Sequence, residues 1–233
     1  ARNAADVQTI VVLPPATPQM LATDRLAVRT GASDVALLTD TWGTSGYLTY
    51  TRDINVNNLG SGKVTVGSNA AGSAGRPVEF RGTITLGKSI DIKSANVDRT
   101  SFRGKITGPG GVDIIGPHRV TFASTASDYA GDTIISGGSL QLYADAVPAT
   151  SDVYVNSGGG FLLWSTSATI DGLNGTGPTR VGGSSRTLTV GSSGASGDYS
   201  GALGETSGGQ LSLAKAGAGT QILRGASTYT GTT

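Results

Sequence analysis

The chain has 233 residues, 37 of them glycine; 37% are hydrophobic, 14% are charged, and 17 basic against 16 acidic side chains leave a net charge of +1. It holds no cysteine, which excludes disulfides and thiolate metal sites, and its single histidine excludes a site built on paired histidines. No basic stripe marks a nucleic-acid partner, and no run of 18 apolar residues exists to cross a membrane as a helix.

Glycine stands at about twice its usual share and charge at about half. The apolar residues fall in short alternating runs, so a core can form where composition alone would suggest a coil. The first residues, ARNAADVQT, lack both Met and a signal-peptide pattern and read as a processed N-terminus. Residues 1–60 are the least regular part and are expected to be an N-terminal cap or an assembly segment, since terminal units of stacked folds are atypical. Within them, residues 7–13, 27–35 and 47–56 read as strands, and residues 19–27 carry a weak helical pattern.

From residue 61 to 233 the texture changes to a repeat domain. Residues 63–66, 82–86, 89–92, 120–122, 139–142, 153–155, 160–163, 187–190, 210–213 and 220–223 each alternate for three to five residues. Turn residues flank nearly every one, which is the strand signature. An aromatic-x-Gly motif recurs at Phe80, Phe102, Tyr129, Tyr199 and Tyr229. The phrase at residues 105–112 returns at residues 202–211, and residues 120–122 return as 220–222, each copy closing on Tyr129 or Tyr229. Spacings of about 20 to 30 residues indicate a solenoid whose coils each supply two or three short strands. One coil cannot bury its inward side chains alone; stacked at about 4.8 Å, the coils share one long core. The recurring aromatic is expected to stack on its neighbours at a corner. The closing TGTT stops in mid-motif, so a longer chain is expected, with an edge that invites a further coil or subunit.

Residues 105–138 and 199–233 resemble the autotransporter-associated β-strand repeat, most clearly at Ala214 to Thr220, at Ser227 to Thr233 and at Tyr129 to Leu140. The resemblance covers roughly residues 80–233; His118 and its neighbours depart from it. It implies an all-β, right-handed parallel β-helix with an irregular N-terminal cap, exported to the bacterial surface. The implied role is structural: a secreted or cell-surface stalk, fibre or layer that self-associates, as a homo-oligomer or by continuation of the solenoid, with adhesion to a glycan or host surface. No catalytic, cofactor-binding or metal-ligating residue is assigned.

Other motifs carry less. Residues 82–89 (GTITLGKS) match a phosphate-loop pattern, but its variable positions alternate like a strand and a second strand follows where a helix is required. His118 reads as a loop residue. Residues 174–176 fit a glycosylation sequon that bacterial origin would leave idle. Parallel β-helices also carry polysaccharide lyases and hydrolases, which need two or three carboxylates in one groove. The candidates are Asp91, Asp98, Asp113, Asp128 and Asp132, with turn capping as the alternative role. A glycan-binding reading rests on Trp42, Tyr47, Tyr50, Tyr154 and Trp164 forming one exposed patch, against core packing.

Overall fold

A computed structural model describes residues 8–12, 26–28, 34–39, 48–69, 77–95 and 99–233. Among them the regular structure is strand throughout, and each strand pairs in parallel with a strand of at least one neighbouring coil. The chain visits three faces in a fixed order, so short alternating runs become rungs of a β-solenoid. Face A carries ten strands: Gln8–Val12 (β1), Val35–Thr39 (β3), Val64–Ser68 (β6), Ile90–Ser94 (β9), Val112–Ile114 (β12), Thr133–Ile135 (β14), Val153–Val155 (β16), Leu173–Gly175 (β19), Gly197–Tyr199 (β22) and Gln221–Leu223 (β25). Face B carries Leu48–Tyr50 (β4), Val78–Phe80 (β7), Arg99–Phe102 (β10), Arg119–Phe122 (β13), Ser139–Leu142 (β15), Phe161–Leu163 (β17), Thr179–Gly182 (β20) and Leu203–Thr206 (β23). Face C is split. Leu26–Val28 (β2), Ile54–Val56 (β5), Ile84–Leu86 (β8) and Ile106–Thr107 (β11) form its first sheet, and Ala168–Thr169 (β18), Arg186–Val190 (β21) and Leu211–Lys215 (β24) its second. Between them two coils cross this face without a strand.

The sheets continue across residue 60: β3, β4 and β5 pair with β6, β7 and β8 in the same ladders as later coils. The helical pattern at 19–27 lies mostly outside the described residues, and its last two residues belong to β2. Coil length changes along the stack. Partners on face A are 29 residues apart at Val35 and Val64, 20 apart at Thr133 and Val153, and 24 apart at Gly197 and Gln221.

The core is made of columns. On face A the inward positions align as Leu37, Val66, Ile92, Ile114, Ile135 and Val155, each fully or almost fully buried. Burial of one such side chain contributes about 1.5–3 kcal/mol, and none can be buried without the coil above and below. On face B the column begins with Tyr50, Phe80, Phe102 and Phe122. The Phe80 and Phe102 rings lie 5.0 Å apart and 8° from parallel, and Phe102 meets Phe122 edge-on at 5.8 Å. Beyond each stacked ring the chain turns at a glycine. A Cβ on Gly104 would stand 1.9 Å from the Gly82 carbonyl oxygen, so that corner admits only hydrogen.

At the corners the backbone ladder pauses, and short polar side chains take over its hydrogen bonds. Asp34 Oδ1 accepts the Lys63 amide at 2.7 Å, Asp53 Oδ1 the Thr83 amide at 2.8 Å, and Asp152 Oδ1 the Gly172 amide at 2.7 Å. Ser89, Ser167 and Ser196 accept the amides of Gly111, Thr187 and Thr220 in the same way. Each clip joins one coil to the next, which is why Asp and Ser populate these turns.

Candidate functional site

Alternation along β9 and β12 points Ile90, Ile92, Val112 and Ile114 inward and leaves Asp91 and Asp113 on the outer surface of face A. Their register makes them direct neighbours in adjacent coils, about 4.8 Å apart along the stack. Asp132, on the turn into β14, and Lys63 and Ser89, on the turns into β6 and β9, complete the rim of a recess of about 300 Å³. Asp113 accepts a hydrogen bond from Ser136 at 3.1 Å through Oδ2, while its Oδ1 is buried and, among the described residues, unbonded. Burial pushes the Asp91 carboxyl above its ordinary value, Lys63 opposes the shift, and Asp113 and Asp34 add to it. Asp132 is pushed up by burial and by Asp152. The recess thus holds three carboxylates and one cation, with Asp91 and Asp132 both shifted toward protonation.

The other candidates do not join it. Asp128 lies at a different corner, exposed, paired with Lys105 at 2.7 Å, which holds it below the ordinary aspartate range. Asp98 lies outside the described residues. His118 sits in the turn between β12 and β13, half-buried. Residues 82–89 are strand β8, a turn and the approach to β9, so no helix start meets a phosphate there; the Lys88 amine donates to the Gly60 and Gly62 carbonyls. Trp42 and Tyr47 lie outside the described residues. Tyr50 packs at 5.7 Å on Phe80, Tyr154 projects from face A, and Trp164 covers Gly182, so these three are apart. Asn174 spends its carboxamide oxygen on the Asp198 amide, at 3.1 Å.

The five aromatic-x-Gly motifs, expected as one stacking column, occupy three kinds of position. Phe80 and Phe102 close face-B strands and stack. Tyr199 closes β22 on face A, inward, opposite Gly175; its hydroxyl donates to the Gly177 carbonyl at 2.5 Å and meets the Thr179 hydroxyl at 2.9 Å. The glycine at 201 leaves room for its ring, since a Cβ there would stand 2.5 Å from the Tyr199 Cζ. Tyr129 and Tyr229 share a third arrangement, a hydroxyl contact of 2.6 Å to the Thr four residues on, Thr133 and Thr233.

One charged residue escaped the sequence reading. Glu79 on β7 points outward, yet its side chain is 3% exposed, gripped by Arg81 at 2.7 Å and Arg103 at 2.8 Å. Burial alone would raise its carboxyl, but the two guanidinium groups outweigh burial and hold it below the ordinary glutamate value. Ser101, Thr121 and Gln141 continue its column across β10, β13 and β15 and are equally buried. The signal was a Phe-Arg-Gly that occurs at both Phe80 and Phe102, one coil apart.

Among the described residues, no group of three or more His, Cys, Asp or Glu side chains is placed to hold a metal ion, and no helix is long and apolar enough to cross a membrane. The sequence model of the passenger-associated-transport-repeat family matches residues 119–142 and 213–233. No curated protein and no solved structure matches the chain.

Proposed function

We propose, from the premise that matched transport repeats on a parallel β-solenoid fit an autotransporter passenger repeat protein, that this chain builds an extended scaffold outside the cell. A passenger-type structural domain is the coarse role that fold and repeats support together. The finer reading is a secreted or surface-exposed stalk, fibre or layer that lengthens by stacking coils of the same kind. One observation carries it. The face-A ladder runs in parallel register through ten strands, from Gln8–Val12 to Gln221–Leu223, and the coils share one hydrophobic core. A fold built by repeating one rung, in which each coil is buried by its neighbours, is suited to an extended scaffold. The test is electron microscopy of the full-length protein together with light scattering over a range of concentrations. Rods or filaments whose length follows coil number are expected; a compact, capped monomer that never associates would remove the fibre reading. Adhesion is tested separately, by retention on glycan arrays and on cell surfaces.

A second reading rests on the recess. Three carboxylates in one groove, with Asp91 and Asp132 both shifted toward protonation, meet the carboxylate pair that a glycoside-cleaving site requires. Release of reducing ends from acidic or neutral polysaccharides, abolished in Asp91→Asn and Asp113→Asn, would establish it. No release from a broad panel would leave the scaffold reading alone.

A further inference from the structure

Face A is a backbone ladder with one interrupted step. Among the described strands, every neighbouring pair on that face is joined over at least three residues, except β19 and β22, which meet only at Gly175 and Tyr199. In a parallel ladder the N–H and C=O of one residue both face the next strand and bond to two of its peptide groups. Leu173 faces β22 in this way, but β22 does not receive it. The Leu173 amide donates to Gln221 Oε1 at 3.0 Å, and the Leu173 carbonyl accepts from Gln221 Nε2 at 2.8 Å. Gln221 lies 48 residues further on, two coils away, and its own register partner is Gly197.

Three residues make this possible. Gln221 occupies the inward column, so its side chain points back along the stack. Gly197 stands between, and a Cβ there would come within 2.4 Å of Gln221 Oε1 and 2.5 Å of the Leu173 oxygen. Asn174 completes the substitution by accepting the displaced Asp198 amide through Oδ1 at 3.1 Å. A single primary amide, with one acceptor and one donor on the same end, stands in for the peptide groups of a strand.

We propose that this step is a built-in opening seam in the solenoid and that Gln221 is its latch. Elsewhere on face A, separating two coils breaks a backbone ladder. Here β22 parts from β19 by rotation of two side chains out of the gap and release of one backbone bond, Ser200 amide to Gly175 carbonyl, while β23 and β24 stay joined to β20 and β21 on the other two faces. The seam is therefore a local opening of face A that precedes opening of the other face-A steps, and β22 and β25 move together in it, since they remain paired to each other over three residues.

Amide hydrogen exchange on the full chain tests this. The Leu173 amide reads the latch directly, and the amides of Ile90 and Leu140, each bonded to the backbone of a neighbouring coil, are references. In Gln221→Leu the Leu173 amide is expected to exchange about ten-fold faster or more, with Ile90 and Leu140 unchanged. Gln221→Glu keeps the shape but faces the Leu173 carbonyl with a carboxylate that has no proton to donate. After correction for intrinsic rate, its Leu173 protection is expected to be low at neutral pH and to recover in acid, where the carboxyl regains a donor. Gly197→Ala, which blocks the path, should match Gln221→Leu. Unchanged Leu173 protection in Gln221→Leu, equal loss at all three amides, or an absence of pH dependence in Gln221→Glu would each overturn the latch.

Discussion

The two matched repeats carry nearly the same words and stand on different faces. In the first, β13 on face B leads through Tyr129 to β14 on face A. In the second, β25 on face A leads through Tyr229 to Thr232, whose carbonyl accepts the Leu213 amide of β24 on face C at 2.8 Å. The second copy is turned by one face relative to the first. Coils of 20 to 24 residues in between do not keep a 100-residue sequence spacing in phase with the stack. The motif therefore specifies a strand–corner–strand unit and is indifferent to which corner it builds. The copies also differ in cover. Tyr129 is fully buried, with Thr133 passing its hydroxyl contact on to Ser151 at 3.0 Å, whereas Tyr229 is only partly buried against the core.

Substitution should break this pair unequally. Tyr129→Ala is expected to cost about 3–5 kcal/mol in urea unfolding, through a cavity that neighbouring coils cannot close, and Tyr229→Ala only about 1 kcal/mol. Equal losses would mean that Tyr229 is as well covered as Tyr129. A smaller effect separates hydroxyl from ring: Tyr129→Phe should lose about 1–2 kcal/mol and Tyr229→Phe less than about 0.5 kcal/mol, because only the first leaves buried partners unsatisfied.

Charge sharpens the contrast between faces in the coils ahead of Tyr129. The Glu79 carboxyl is depressed, so its contribution is present above the ordinary glutamate range and is lost as pH falls through the folded value. Glu79→Gln should thus be destabilising at neutral pH, with the difference vanishing in acid. Asp91 is raised, so the native state holds its proton more tightly and stability falls as pH rises from the ordinary aspartate range through the folded value. Asp91→Asn should give a small gain at neutral pH, under about 1 kcal/mol, that disappears below that window. Urea midpoints at neutral and acid pH read both, and parallel profiles would refute the assignment of opposite signs.

Strands were legible because each alternates between turn residues, and β8, β13, β15, β16 and β24 lie where the sequence places them. Asp91 and Asp113 were legible as carboxylates but not as neighbours, since 22 residues separate them and only the register brings them side by side. Asp132 and Asp128, four residues apart, looked equivalent; the corner at Tyr129 sends one to the recess and the other to Lys105. Glu79 was passed over because its partners come from its own coil and the next.

The sequence by itself determined the coil: short alternating runs, glycine at tight corners, and Asp or Ser to clip one coil to the next, all of them properties set within a few residues. Tertiary structure decided phase and neighbourhood. It placed one motif on different faces, split face C, stacked Phe80 on Phe102, and set Gln221 in the gap beside Leu173. Those outcomes depend on the summed lengths of intervening coils, in which one residue more or less shifts every partner that follows.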